Sequence, residues 1–146
     1  MNKILASRPV EDKSIGLNAV CNFQGLFCFG GEDGKVSVLD SSELGPASVT
    51  SLESANFITF CAPVRGIGIM PSPNSIGISI CVSLENGWIH LVEYCPKDHR
   101  LRLLGQLTGS NIDPVHGLYT VTVSDTYQIF SGSNDGVLRY YSLSMH

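Results

Sequence analysis

At 146 residues the chain is long enough for one domain with its own core, and 43% hydrophobic against 15% charged residues is the balance of a folded protein. Nine Lys and Arg against thirteen Asp and Glu leave a net charge of −4, with no basic patch to engage phosphates, so a nucleic-acid partner is not expected. No apolar run is long enough to span a bilayer, and neither a signal peptide nor an Asn-x-Ser/Thr sequon occurs, so no membrane association is expected.

Strand patterns dominate in chain order. An apolar run over residues 17–23 precedes residues 26–31, and residues 35–39 alternate Val36 and Val38 with Lys35 and Ser37, as a half-buried strand does. A further strand is predicted within 54–61. The same sequence of runs returns at 64–70, 76–84, 88–94 and 101–107, and again at 115–123, 126–131 and 137–143. In 76–84 the large apolar residues fall on even positions with small residues between them. No segment sustains a 3.6-residue period, so no long helix is expected. Loops are predicted at 40–48, 71–74, 95–100 and 109–114, where Gly, Pro, Ser and Asn collect. Lys97, Arg100 and Arg102, the densest basic cluster, read as a solvated loop beside Asp98 and His99.

Two markers hold one period. The turns Glu32-Asp33-Gly34, Glu85-Asn86-Gly87 and Asn134-Asp135-Gly136 each separate two strand-like runs. Asp-Gly and Asn-Gly predict two-residue hairpin loops with φ > 0 at both central positions. Gly16-Leu17, Gly66-Ile67 and Gly117-Leu118 each open an apolar run in step with those turns. The period is about 50 residues, an internal repeat that points to a repeat architecture and so to a surface for binding other molecules. Each unit reads as four strands, a to d, with the turn between b and c. The units cover residues 15–61, 64–107 and 115–144; the third lacks strand d, and residues 3–10 are a candidate closing strand.

The chain resembles the WD-repeat β-propeller family. The resemblance rests on Leu107-Thr108-Gly109-Ser110, Asp113-Pro114-Val115 and the run from Ser131 to Tyr141, which is similar to the family's Gly-His loop, first strand and Ser-Gly-Ser-x-Asp-Gly turn. Met70-Pro71-Ser72-Pro73-Asn74 is similar to the turn between strands a and b. The Trp-Asp dipeptide is replaced by Leu39-Asp40, Val92-Glu93 and Tyr141-Ser142, and the Gly-His pair has no counterpart closer than Gly109-Ser110. The buried His-Asp network of the family is therefore not expected. The resemblance implies an all-β fold of radially arranged blades of four antiparallel strands, three of them in this chain. Propellers use 4–8 blades. The ring would be finished by a longer chain, by a homodimer of six blades, or by blades from another protein.

The resemblance also places the b–c turns and the loops entering strand a on one face, the usual partner-binding face. That face would carry Arg65, His116, Glu32, Glu85, Trp88 and Asn134; ordinary solvated loop residues, with Trp88 packed between blades, are the alternative. The turn acids are read as backbone-shaping groups and not as catalytic carboxylates, because they recur with the turns. His90, His99, His116 and His146 show no metal-ligand spacing, no phosphate-binding loop occurs, and no cofactor is expected. Arg139 lies beside Tyr140 and Tyr141, where stacking or plain strand packing would hold it. Five cysteines without a Cys-x-x-Cys predict neither a disulfide framework nor a zinc site, and a reducing compartment, cytoplasm or nucleus. The expected function is a non-enzymatic scaffold that binds other proteins. A propeller enzyme with a central-channel site, or a small ligand-binding β-sandwich, is the alternative.

Overall fold

The computed structural model describes residues 16–40, 56–71, 77–107, 115–123 and 126–144. The candidate closing strand at 3–10, Gly109-Ser110 and most of the turn after Pro71 lie outside them, as does the side chain of His116.

Every element among the described residues is a strand. The first sheet contains β1 (Leu17–Phe23), β2 (Leu26–Gly31), β3 (Lys35–Asp40) and β4 (Asn56–Thr59). The second contains β5 (Val64–Pro71), β6 (Ile78–Leu84), β7 (Ile89–Cys95) and β8 (Arg100–Gln106). The third contains β9 (Val115–Val123), β10 (Thr126–Ser133) and β11 (Leu138–Ser144). Each sheet runs up and down, every strand pairing antiparallel with its neighbour in sequence. The first strands pack side by side, β1 on β5 and β5 on β9, which is a β-propeller-like arrangement. Two of the sheets have four strands and the third has three among the described residues. The basic cluster expected in a loop lies partly on β8, where Arg102 pairs with Glu93 of β7.

The hydrophobic pattern places the core between sheets. Ile80, Val82 and Leu84 pack with Val36 and Val38 of the first sheet, while Cys81 and Ile89 pack with Tyr127 and Ile129 of the third. The second sheet is therefore covered on both faces. That is why β6 is buried almost throughout, Ser79 and Ser83 included. Burying one such Val, Leu or Ile side chain is worth about 1.5–3 kcal/mol, so the two junctions carry much of the stability.

The turns correct the expected hairpin type. Positive φ occurs at Gly34 (78°), Gly87 (88°) and Gly136 (77°), but not at Asp33, Asn86 or Asp135. Each glycine N–H instead closes the turn three residues back, on Gly31, Leu84 and Ser133, at 3.0–3.2 Å. This is a type I turn with a left-handed glycine, the three-residue hairpin loop. Asp33, Asn86 and Asp135 each accept, at 3.0 Å, the N–H two residues on, from Lys35, Trp88 and Val137. A side-chain acceptor at that position is what the turn requires, and Asn serves as well as Asp. The two-residue loop with both positions left-handed joins β1 to β2, at Gln24 (49°) and Gly25 (85°).

All five cysteines are free thiols. Cys28 and Cys81 hold equivalent places in β2 and β6, each buried in a junction. Burial pushes both thiols up to about 12, with Cys21 adding to the effect on Cys28. Cys61 is exposed. Because the thiolate is the reactive form, an alkylating reagent at pH 8 should label Cys61 in the native protein, and Cys28 and Cys81 only in denaturant. Peptide mass spectrometry of a short labelling pulse checks this.

Candidate functional site

Each first strand carries an irregularity at the same place. The register steps between Leu17 and Ala19, between Val64 and Gly66, and opposite the Gly132/Ser133 step in β9, leaving Asn18, Arg65 and His116 as the extra residues. A bulge re-aims its side chain and bends the strand. Here it sends Arg65 toward the neighbouring turns. The alignment also corrects the first repeat marker: Gly66 and Gly117 match Ala19 and not Gly16. Gly16 matches Pro63, since their carbonyls accept the N–H groups of Glu32 (2.9 Å) and Glu85 (2.8 Å).

Arg65 joins two sheets. One guanidinium nitrogen lies 3.0 Å from Glu32 Oε1, on the turn of the first sheet, and the other lies 3.0 Å from Glu85 Oε1, on the turn of its own sheet. The Arg65 side chain is 21% exposed and both glutamates 44%. The hydrogen bond that Arg65 donates to Glu85, then the two carboxylate charges and the bond to Glu32, outweigh burial and raise the guanidinium further above its ordinary value. It is a fixed cation at any working pH. Asn18 extends the row: its amide donates to Glu32 Oε1 at 2.9 Å and to the Val64 carbonyl at 3.0 Å. The sequence reading missed Asn18 because the glycine marker in the first repeat was displaced by three residues. The signal was its place ahead of Ala19, as Arg65 stands ahead of Gly66.

The structure thus brings Glu32, Arg65 and Glu85 into one hydrogen-bonded group. Trp88, 38% exposed, leaves the second turn and caps it through its backbone: its carbonyl accepts the Leu84 N–H at 2.9 Å. Asn134 is exposed and holds the turn position of Glu32 and Glu85. His116 holds the bulge position of Arg65. Arg139, placed by the sequence beside two tyrosines, instead binds Asp135 at 2.8 Å. Arg139 first, then the Ser133 hydroxyl and the Val137 N–H, hold the Asp135 carboxyl well below the usual carboxylate range. The third turn is therefore braced within itself and the first two across a junction. His90 stacks on Phe60 with ring centroids 4.8 Å apart, bridging the same junction from the other sheet, and burial lowers its pKa. An open cleft of about 230 Å³, lined by Glu93, Cys95, Asp98, Arg100 and Arg102, lies along the outer strands of the second sheet.

No family model matches the chain, and neither does any curated protein. Among solved structures it is similar to the computationally designed Ika8 protein, with a TM-score of 0.58 and 11% identity over 88% of this chain and 33% of that one. The designed Ika4 protein aligns at a TM-score of 0.44 and 11% identity, over 99% of this chain and all of that one. BBS1N, crystallised in complex with ARL6DN, aligns at 0.47 and 13% identity, over 89% of this chain and 37% of that one. The chain spans about a third of the length of the Ika8 and BBS1N chains. What the Ika8 likeness shows is the fold, an all-β chain of antiparallel sheets.

Proposed function

We propose that this chain is part of a divergent WD-repeat β-propeller and works as a non-enzymatic scaffold, binding other proteins through the face built by its b–c turns. The carrying observation is the row Asn18, Glu32, Arg65 and Glu85, in which bulge and turn residues from two sheets are tied together at 2.9–3.0 Å. Side chains fixed in this way lose little conformational freedom when a partner docks. The rim is mostly acidic and amide-bearing around one cation, with Trp88 beside the second turn, a composition that suits a polar protein surface. The five free thiols support placing it in a reducing compartment, cytoplasm or nucleus.

Arg65→Ala leaves two carboxylates without their common cation. It should lower stability by only about 1 kcal/mol, the scale of partly exposed ion pairs, while removing bound proteins from an affinity capture. Arg65→Lys keeps the charge but cannot bridge both acids with a planar fork, so it should restore stability more than binding. Capture followed by mass spectrometry, with a urea melt of each variant, separates the two effects. The same set of proteins on wild type and Arg65→Ala would refute this face as the binding surface.

A further inference from the structure

The repeat alignment shows which positions a blade junction buries. Counting from the turn glycines, Val36, Ile89 and Leu138 are equivalent, as are Val38, Leu91 and Tyr140. Val36 and Ile89 are 0% and 2% exposed because each faces the next sheet, whereas Leu138 is 72% and Tyr140 53% exposed. Counting from the bulges, Val64 and Leu17 are equivalent, as are Ile67 and Val20. Val64 and Ile67 are 0% and 8% exposed because they face the preceding sheet, whereas Leu17 is 53% and Val20 71% exposed. Phe29 and Leu39, on the same face as Val20, are buried, so the open part of that face lies along β1. First strands also make the main contacts in both observed junctions.

We propose that these two exposed ends are the halves of a junction formed between two copies of this chain. The third sheet of each copy packs on β1 of the other. The proposal rests on the propeller reading above. Continuity of register is the first argument: each end offers what an observed junction buries on the opposite side. Charge is the second. In the first junction the turn acid Glu32 meets the bulge cation Arg65 at 3.0 Å. Register puts Asn134 and Asn18 at those two positions in the closing junction, two neutral amides; Asn18 gives its N–H groups to Glu32 and the Val64 carbonyl, which leaves its oxygen to accept from the Asn134 amide. A partner sheet carrying an Arg at its bulge would find no acid at Asn134. Closure is the third. Two identical head-to-tail junctions related by a two-fold axis close a ring of six sheets, within the 4–8 that propellers use, while three copies would give about nine.

The test is the mass of the 146-residue chain by light scattering over a dilution series. Twice the 15.7 kDa of one copy is expected. Leu138→Glu and Val20→Glu, both at exposed positions, should each yield monomers that still melt cooperatively. Asn134→Glu should weaken the dimer by about tenfold, and adding Asn18→Arg, which rebuilds the acid–cation pair of the first junction, should restore it. A cooperatively folded monomer at all concentrations would overturn the proposal. So would a dimer indifferent to Leu138→Glu and Val20→Glu, or an open-ended series of oligomers. A monomer that captures partners through Arg65 sinks the dimer and leaves the scaffold standing; a dimer that captures nothing does the reverse.

Discussion

Gly34→Ala should destabilise the protein by about 3 kcal/mol or more, and Gly136→Ala by about 1–2 kcal/mol. Both glycines end the same turn with nearly the same backbone, φ 78° and 77°. A Cβ in this left-handed region costs about 1–2 kcal/mol at either position. The surroundings differ. A Cβ on Gly34 would lie 2.3 Å from the Phe60 carbonyl oxygen and 2.9 Å from that of Ala62, whereas one on Gly136 would meet nothing within 4 Å. The Phe60 contact is backbone, and the Phe60 N–H is bonded to the Gly34 carbonyl at 2.8 Å, so the obstacle cannot rotate aside. Overpacking adds about 1–3 kcal/mol. Urea midpoints at a constant slope would measure both losses. Equal losses at the two sites would mean that the segment from 60 to 62 yields freely, and the argument for a packed first turn would fail.

Gly30→Ala should cost about 2–3 kcal/mol, and Val64→Ala should relieve part of that cost when the two are combined. Gly30 lies on β2 at the first junction. A Cβ there would sit 2.5 Å from Val64 Cγ1 and 2.8 Å from its Cβ. Val64 is fully buried, so its side chain has no space to retreat into, and the strain falls on the separation of the two sheets. Val64→Ala alone loses buried methyls, about 1–2 kcal/mol. In the double variant the added methyl enters the volume that valine vacated, so the combined loss should fall below the sum of the single losses by about 1 kcal/mol or more. Gly105→Ala, on β8 and away from the junction, whose Cβ would meet nothing within 4 Å, is the control and should be nearly neutral. Strict additivity at 30 and 64 would sink the claim that these two residues set the sheet spacing.

Both expectations depend on partners that lie far off in sequence, and that marks how far the sequence could be read. The strand runs at 17–23 and 26–31 coincide with β1 and β2, and the run at 115–123 with β9. Alternation and turn residues are local signals, and they survive because the strands are short and the turns tight. The turn subtype was misread because Asp-Gly and Asn-Gly are compatible with more than one hairpin loop, and only the dihedrals distinguish them. The bulges were invisible because each falls at the second residue of its strand, where a single preceding residue sets no alternation for the extra one to break. With the bulges unseen, the displaced glycine in the first repeat hid the match between Asn18 and Arg65.

The sequence by itself determined an all-β chain, a period near 50 residues, three turns with glycine at the left-handed position, and a candidate face that included Glu32, Arg65 and Glu85. These follow from residue types acting over a few positions, where sterics and side-chain-to-backbone hydrogen bonds decide. Tertiary structure decided that Arg65 serves two sheets, that Arg139 turns inward to Asp135, that Gly34 is crowded while Gly136 is free, and that Val36 is buried where Leu138 is exposed. Each of those depends on which sheet stands opposite, and an inter-sheet contact brings together residues tens of positions apart that no local periodicity links.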